Sequence, residues 1–310
     1  LLNKNLEQIV DTNDDWIQSR TGIKERRILK DPSKATSFLA IQASKNLISK
    51  NNIDPLTIDM VIVATTTPDM QIAATAAYVA SQIGSYNAFG YDLQAACSGF
   101  LYAMSMASGK IESGRYKKVL VVGADKMSSV IDYKDRSTCI LFGDGAGAVL
   151  FESNNEGLGW QDEYFKSNGD GRESLNVKAG GSLFPATSTT ISNRDHYLRQ
   201  DGRKVFKTAI SAMSDASSTI LKRNNLVGED IDYLVAHQAN ERIIESIAKR
   251  MSLKPSKVLK NIAKYGNTTA ATIPLLLYDF QNKFKRGDKI IFAAFGGGFT
   301  WGAAYYIWSK

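Results

Sequence analysis

The stretch Ile58-Asp59-Met60-Val61-Ile62-Val63-Ala64 returns 173 residues later as Ile231-Asp232-Tyr233-Leu234-Val235-Ala236, and Val119–Val122 returns 171 residues later as Ile290–Ala293. A near-constant offset between apolar runs argues for an internal duplication, with two copies of one βα unit packed against each other. The halves are read as residues 1–155 and 156–310. A site at their junction would draw on loops from both.

Around these repeats, helical and short apolar segments alternate, which predicts an α/β fold with largely parallel sheets. Apolar spacing predicts helices over 37–50, 73–83, 98–111, 204–223 and 241–251, and strands over 58–65, 89–93, 118–123 and 233–236. The polar stretch 154–192, rich in Gly and Ser and without periodicity, reads as excursion loops and a linker. No charged residue lies between Lys289 and Lys310, but Gly296, Gly297, Gly298 and Gly302 interrupt that segment. It reads as two buried strands joined by a glycine turn, and no membrane span is expected.

With 310 residues, 44% of them hydrophobic, the chain can bury a core without disulfides or a metal. Cys97 and Cys139 lie in different neighbourhoods with no CxxC spacing, which fits a reducing cytoplasm and argues against a disulfide framework or a zinc site. The net charge of +7 is spread over the whole length. Such a diffuse footprint argues against nucleic acid and suits an acidic protein partner. The opening Asn3-Lys4-Asn5-Leu6-Glu7 is no secretory leader, and the absence of an initial Met reads as the continuation of a longer chain.

Four segments carry chemistry. Cys97, in Gln94-Ala95-Ala96-Cys97-Ser98-Gly99-Phe100, falls between an apolar strand and a helix. There the helix dipole favours thiolate and should lower the thiol pKa, as a nucleophile requires; a buried structural cysteine is the alternative. Cys139 has apolar neighbours and reads as core. His237 ends the apolar run 233–236, the strand-end position that α/β folds use for ligands. The chain's other histidine, His196, sits in a polar stretch expected to be exposed. Asn267 follows a glycine turn, and its amide can donate at any pH, as an oxyanion hole needs, or cap a helix. Phe295-Gly296-Gly297-Gly298-Phe299 offers unobstructed backbone N–H groups for a second oxyanion hole.

Ala96-Cys97-Ser98-Gly99-Phe100, Phe142-Gly143-Asp144-Gly145-Ala146-Gly147-Ala148, His237-Gln238-Ala239-Asn240, Gly266-Asn267-Thr268 and Phe295 to Gly302 occur in order. Together they resemble the β-ketoacyl-acyl carrier protein synthase III family of thiolase-like condensing enzymes, from Asn5 to the C-terminus. The resemblance implies a thiolase-like five-layered αβαβα sandwich of two duplicated halves, and a homodimer. It implies that an acyl group, acetyl in the first instance, passes from acyl-CoA to Cys97 and is joined to malonyl-acyl carrier protein with loss of CO2, starting fatty acid synthesis. By the same resemblance His237 and Asn267 stabilise the enolate, and the N–H groups of Cys97 and Gly297 form the acyl-transfer oxyanion hole. Trp16 and Arg136 flank the CoA adenine with Arg20 nearby, and Arg242, Lys207 and Lys249 dock the acidic carrier protein. No metal or redox cofactor is implied, because departing CO2 drives the condensation; both thioesters enter as substrates.

Two features depart from the family pattern. Its members begin with a glycine-containing strand that would precede Leu1. Ile72, in Gln71-Ile72-Ala73-Ala74-Thr75, replaces an aromatic residue that helps bound the acyl pocket, so primer preference is not implied. Polyketide- or quinolone-type condensing enzymes share the Cys-His-Asn set and are the close alternative. A cysteine thioester hydrolase using Cys97 and His237 is the alternative of another class.

Overall fold

Met60–Ala64 (β1) is an unbroken apolar run, buried at every position. A period of two explains why: Met60, Ile62 and Ala64 enter one cluster while Val61 and Val63 enter another on the opposite face. A strand covered on both faces has no side left for polar residues. Each larger apolar side chain so buried stabilises the fold by about 1.5–3 kcal/mol relative to exposure.

In the computed structural model, which describes residues 1–310, β1 lies in a four-stranded sheet with Phe89–Leu93 (β2), Lys118–Asp125 (β3) and Gly145–Glu152 (β4), in the order β2-β1-β3-β4. A second sheet has the order β5-β10-β9-β8, from Gly159–Ser167 (β5), Tyr233–Ala236 (β8), Lys289–Gly296 (β9) and Thr300–Ile307 (β10). Leu175–Val177 (β6) and Leu198–Gln200 (β7) form a separate antiparallel ribbon.

Seven longer helices complete the frame: Asp14–Thr21 (α1), Thr36–Lys50 (α2), Thr75–Gln82 (α3), Gly99–Glu112 (α4), Gly202–Arg223 (α5), Glu241–Arg250 (α6) and Thr272–Phe280 (α7). The middle layer is α4 and α7: Phe100, Met104, Ile273 and Leu276 share one cluster with Ile62 and Val121 of the first sheet and Ile290 and Phe292 of the second. The outer faces are covered by α2 and α3 on one side and by α5 and α6 on the other. This is the five-layered αβαβα sandwich of two duplicated halves, and no helix is long and apolar enough to cross a membrane.

Two expectations change. The sheets are mixed: β1 pairs in parallel with β2 and β3, and β8 with β9, but β3–β4, β9–β10 and β10–β5 are antiparallel. The short glycine link between β9 and β10 can only reverse the chain. The supposed loops of 154–192 contain the nine-residue β5, the ribbon strand β6 and a short helix, Ser188–Ser192. β5 escaped notice because it is an edge strand paired with β10 alone, so polar Gln161, Asp162 and Lys166 dilute its alternation.

Beside this shared core, the halves meet through bare backbone at two points. A Cβ on Gly123, near the end of β3, would lie 2.3 Å from the carbonyl oxygen of Ala270, and one on Gly296, at the end of β9, 2.6 Å from the nitrogen of Cys97. Each central strand thus ends against a turn of the other half.

Candidate active site

Residues 96–98 make a single tight turn that opens α4. Ala96 has φ of +48°, a left-handed conformation that costs a non-glycine residue about 1–2 kcal/mol. Such strain persists only where the surroundings over-determine it. Here Thr300 Oγ1 donates to the Ala95 carbonyl at 2.8 Å, Ser98 Oγ donates to the Thr300 carbonyl at 2.9 Å, and Gly296 bears on the Cys97 nitrogen.

Cys97 is only 6% exposed. Burial, with a smaller contribution from the charge of Asp125, pushes its thiol up to about 12. This reverses the expected fall: removal from water outweighs the helix dipole, and Cys97 rests protonated at neutral pH.

The opposite half supplies His237, one residue beyond β8, anchored by its N–H to the Ala293 carbonyl at 2.8 Å. It is 2% exposed, and burial pulls its pKa down to about 3, so the ring is neutral at physiological pH. Its Nδ1 lies 2.7 Å from Thr272 Oγ1. Asn267 is pinned by its N–H to the Leu141 carbonyl at 2.9 Å and by the Gly143 N–H, which donates to the Asn267 carbonyl at 3.0 Å. The Thr269 N–H donates to Asn267 Oδ1 at 2.9 Å. With the amide oxygen taken, Nδ2 remains as the donor. Asn267 does not cap a helix: the cap position of the next helical turn is Thr268, which makes no side-chain cap bond, and Oδ1 instead closes a tight turn on the Thr269 N–H.

Three supporting residues were not singled out in the sequence. Asp125, fully buried at the end of β3, accepts seven donors and no cation. Oδ1 takes the hydroxyls of Thr65, Thr66 and Thr67 and the N–H groups of Thr66 and Thr67; Oδ2 takes the Thr269 hydroxyl and, at 3.2 Å, the Ala270 N–H. Thr269 is itself left-handed, with φ of +51°, so one carboxylate holds the strained turn that orients Asn267. Thr272 supports His237. Arg26, fully buried, donates to Asn3 Oδ1 at 2.8 Å and to the Ile140 carbonyl at 2.7 Å, fixing the segment on which Asn267 hangs. Burial draws its pKa down to about 10. The only early signal for Asp125 was an acid directly after an apolar run; the others gave none.

Cys97, His237 and Asn267 line one cavity of about 1250 Å³, together with Gly297 and Thr269. Trp16, Arg20, Lys207 and Arg242 also line it and are exposed. Trp16 and Arg20 come from α1, which Asn13 caps by accepting from the Trp16 N–H at 2.8 Å and which Gly22 ends at φ of +80°. Asn240 ties α1 to α6: its Nδ2 donates to the Arg20 carbonyl at 2.9 Å while its Oδ1 caps α6. The Arg242 guanidinium lies 5.2 Å from the Phe206 ring centre.

Other expected residues sit elsewhere. Arg136 stacks directly on Trp16, 5.1 Å from the ring centre, and donates to the Asp11 carbonyl at 2.7 Å, so no gap for a base separates the two side chains in this form. Lys249 lies near the far end of α6, roughly 10 Å along the helix from Arg242, and does not line the cavity. Ile72 is fully exposed and lies outside the cavity of its own chain. His196 is half-buried against Tyr197, contrary to its expected exposure, and does not line the cavity. Cys139 is core. No group of three His, Cys, Asp or Glu side chains is placed to hold a metal ion.

Residues 91–169 match the family model for 3-oxoacyl-[acyl-carrier-protein (ACP)] synthase III, and residues 221–308 match the model for the C-terminal part of the same enzymes. The chain is 52% identical over 308 residues to beta-ketoacyl-[acyl-carrier-protein] synthase III 2 of Bacteroides thetaiotaomicron, covering 99% of this chain and 92% of that one. Among solved structures it is similar to 3-oxoacyl-[acyl-carrier-protein] synthase III from Aquifex aeolicus VF5, with TM-score 0.91, 40% identity and coverage of 99% and 95%. The priming beta-ketosynthase from the R1128 polyketide biosynthetic pathway also matches, with TM-score 0.91, 30% identity and coverage of 100% and 92%.

Proposed function

The chain belongs to the β-ketoacyl-[acyl-carrier-protein] synthase III family, and on that premise we propose how its residues divide the reaction. It is an acyltransferase, a condensing enzyme that initiates fatty acid synthesis. The observation that carries the residue assignment is the convergence of Cys97 from one half with His237 and Asn267 from the other on one cavity.

Cys97 attacks the acyl-CoA thioester, the Cys97 and Gly297 N–H groups stabilise the tetrahedral oxyanion, and CoA leaves with the proton that the thiol gave up. His237 and Asn267 Nδ2 then hydrogen-bond the thioester carbonyl of malonyl-acyl carrier protein. Loss of the malonyl carboxylate as CO2 leaves an enolate on that carbonyl, which attacks the acyl group; the Cys97 thiolate departs and is reprotonated. A neutral His237 suits this role, because it donates without having to give up a proton. No resident cofactor is required, since decarboxylation supplies the electron pair.

Trp16 and Arg20 hold the adenine end of CoA, with Arg136 swinging off the indole so that the base enters between them. Arg242 and Lys207 receive the acidic carrier protein at the rim, and Lys249 extends the positive surface outward. Acetyl is the first primer to test, since Ile72 stands where the family carries an aromatic residue. The functional units divide at 155/156, between the last strand of the first sheet and the first strand of the second.

The protein works as a homodimer. β2 is an edge strand whose outer side has no partner, flanked by exposed Met70, Ile72, Tyr86 and Phe89, a self-complementary apolar margin suited to a twofold axis. Ile72, outside its own cavity, would then bound the acyl pocket of the neighbouring subunit. Two free thiols suit a cytoplasmic location.

Intact-mass measurement after brief exposure to acetyl-CoA tests the reading. An acetyl group mapped to Cys97 is expected; failure of every acyl-CoA to label it overturns the assignment. Condensed product formed from malonyl-CoA in preference to malonyl-carrier protein would favour the polyketide-type alternative. CoA release without condensation would favour a hydrolase.

A further inference from the structure

His237 is chemically ambiguous until one proton is placed. As a buried neutral imidazole it carries a single N–H, and the nitrogen that bears it decides whether the cavity meets a donor or an acceptor. No protein group takes Nε2; Nδ1 meets only Thr272 Oγ1, at 2.7 Å. Thr272, at the start of α7, has one hydroxyl hydrogen and two possible acceptors, His237 Nδ1 and, at 3.0 Å, the Thr269 carbonyl. That carbonyl already accepts the backbone N–H of Thr272, so it is satisfied without the hydroxyl. Nδ1 has no other partner, and its contact is the shorter.

We propose that Thr272 is a positioning residue: its hydroxyl donates to His237 Nδ1 and thereby fixes the Nε2–H tautomer, making the cavity face of the ring a permanent donor beside Asn267 Nδ2. The opposite arrangement, with Nδ1–H donating to Oγ1, would present a lone pair to a carbonyl oxygen and repel it. The inference rests on the proposed role of His237 in enolate stabilisation. Through Thr269 it also joins the two donors, since that residue orients Asn267 by its N–H and accepts the Thr272 backbone N–H at its carbonyl.

With only two histidines in the chain, ring-nitrogen NMR of protein carrying 15N-histidine is direct, and a His196→Gln variant assigns the signals. The wild type at pH 7 is expected to show the proton of His237 on Nε2; a proton on Nδ1 overturns the proposal. Thr272→Val is expected to lose the single tautomer and to slow malonyl decarboxylation roughly tenfold or more, the size of a buried hydrogen-bond partner lost. Acetyl loading of Cys97 should stay within a few-fold of wild type, and Thr272→Ser should restore both the spectrum and the rate. Unchanged decarboxylation in Thr272→Val would refute the inference while leaving His237 its role. Unchanged decarboxylation in His237→Ala would instead remove that role. If Thr272→Val does not fold, the wild-type spectrum and the serine variant decide alone.

Discussion

The turns at Ala96–Ser98 and Thr269–Ala271 are the same device used twice. They lie 173 residues apart, each opens a middle-layer helix, and each begins with a left-handed non-glycine residue, Ala96 at +48° and Thr269 at +51°. The chemistry they carry differs. The position matching Cys97 is Ala270, that matching His237 is Ala64, and that matching Asn267 is Gln94. The proposed nucleophile lies in one half and the two proposed hydrogen-bond donors in the other, so on that reading neither copy alone completes the reaction. Duplication repeated the turn, while the side chains it presents differ between the halves.

That division can be broken most sharply at the two bare-backbone contacts. Gly296→Ala forces a methyl against the Cys97 nitrogen and is expected to slow acetyl loading at least a hundredfold, with a smaller effect on malonyl decarboxylation. Gly123→Ala presses on the Ala270 carbonyl and should reverse the order, damaging decarboxylation first. Separate assays of the two half-reactions decide, and equal losses in both would show that the turns act as one unit. Asp125→Asn replaces an acceptor-only group with an amide whose NH2 faces donors. It should cost about 1–3 kcal/mol in denaturant unfolding and slow decarboxylation about tenfold more than loading.

Titration gives a third contrast. His237 has a folded pKa depressed to about 3 against an unfolded value near 6.5. Its contribution to stability is therefore complete above 6.5 and is lost as pH falls toward 3. Between pH 7 and 5 the wild type should lose more thermal stability than His237→Gln; parallel losses would contradict the buried neutral ring. Cys97 runs the other way, and alkylation by iodoacetamide in the free enzyme should keep rising with pH well past 9. The smallest effect is expected at the rim, where Arg242→Glu should raise KM for carrier-protein substrate severalfold and leave acetyl-CoA loading unchanged.

Much of this was legible in the sequence because it is local. A cysteine between an apolar strand and a small-residue helix, one histidine at a strand end and an asparagine after a glycine turn can be picked out from their neighbours as candidates, while their roles came only from the resemblance of five motifs in order. Asp125 and Thr272 could not be, because their partners lie 58 to 145 and 35 residues away. Nor could the direction of the Cys97 shift, since the helix dipole belongs to the local sequence while desolvation belongs to the closed cavity. β5 was hidden for a related reason: a strand paired on one side only need not look apolar. Ile72 shows the same limit in reverse: the family resemblance places it at an acyl pocket, and the folded chain turns it fully outward.

The bare contact of Gly123 with Ala270 and of Gly296 with Cys97 has an evolutionary reading. Copies that touch through side chains can drift apart, each compensating for the other. Copies that bear on each other without side chains have no slack at those points, and a change in one is felt at once by the chemistry of the other. From the moment such a contact forms, two genes' worth of sequence is inherited as one.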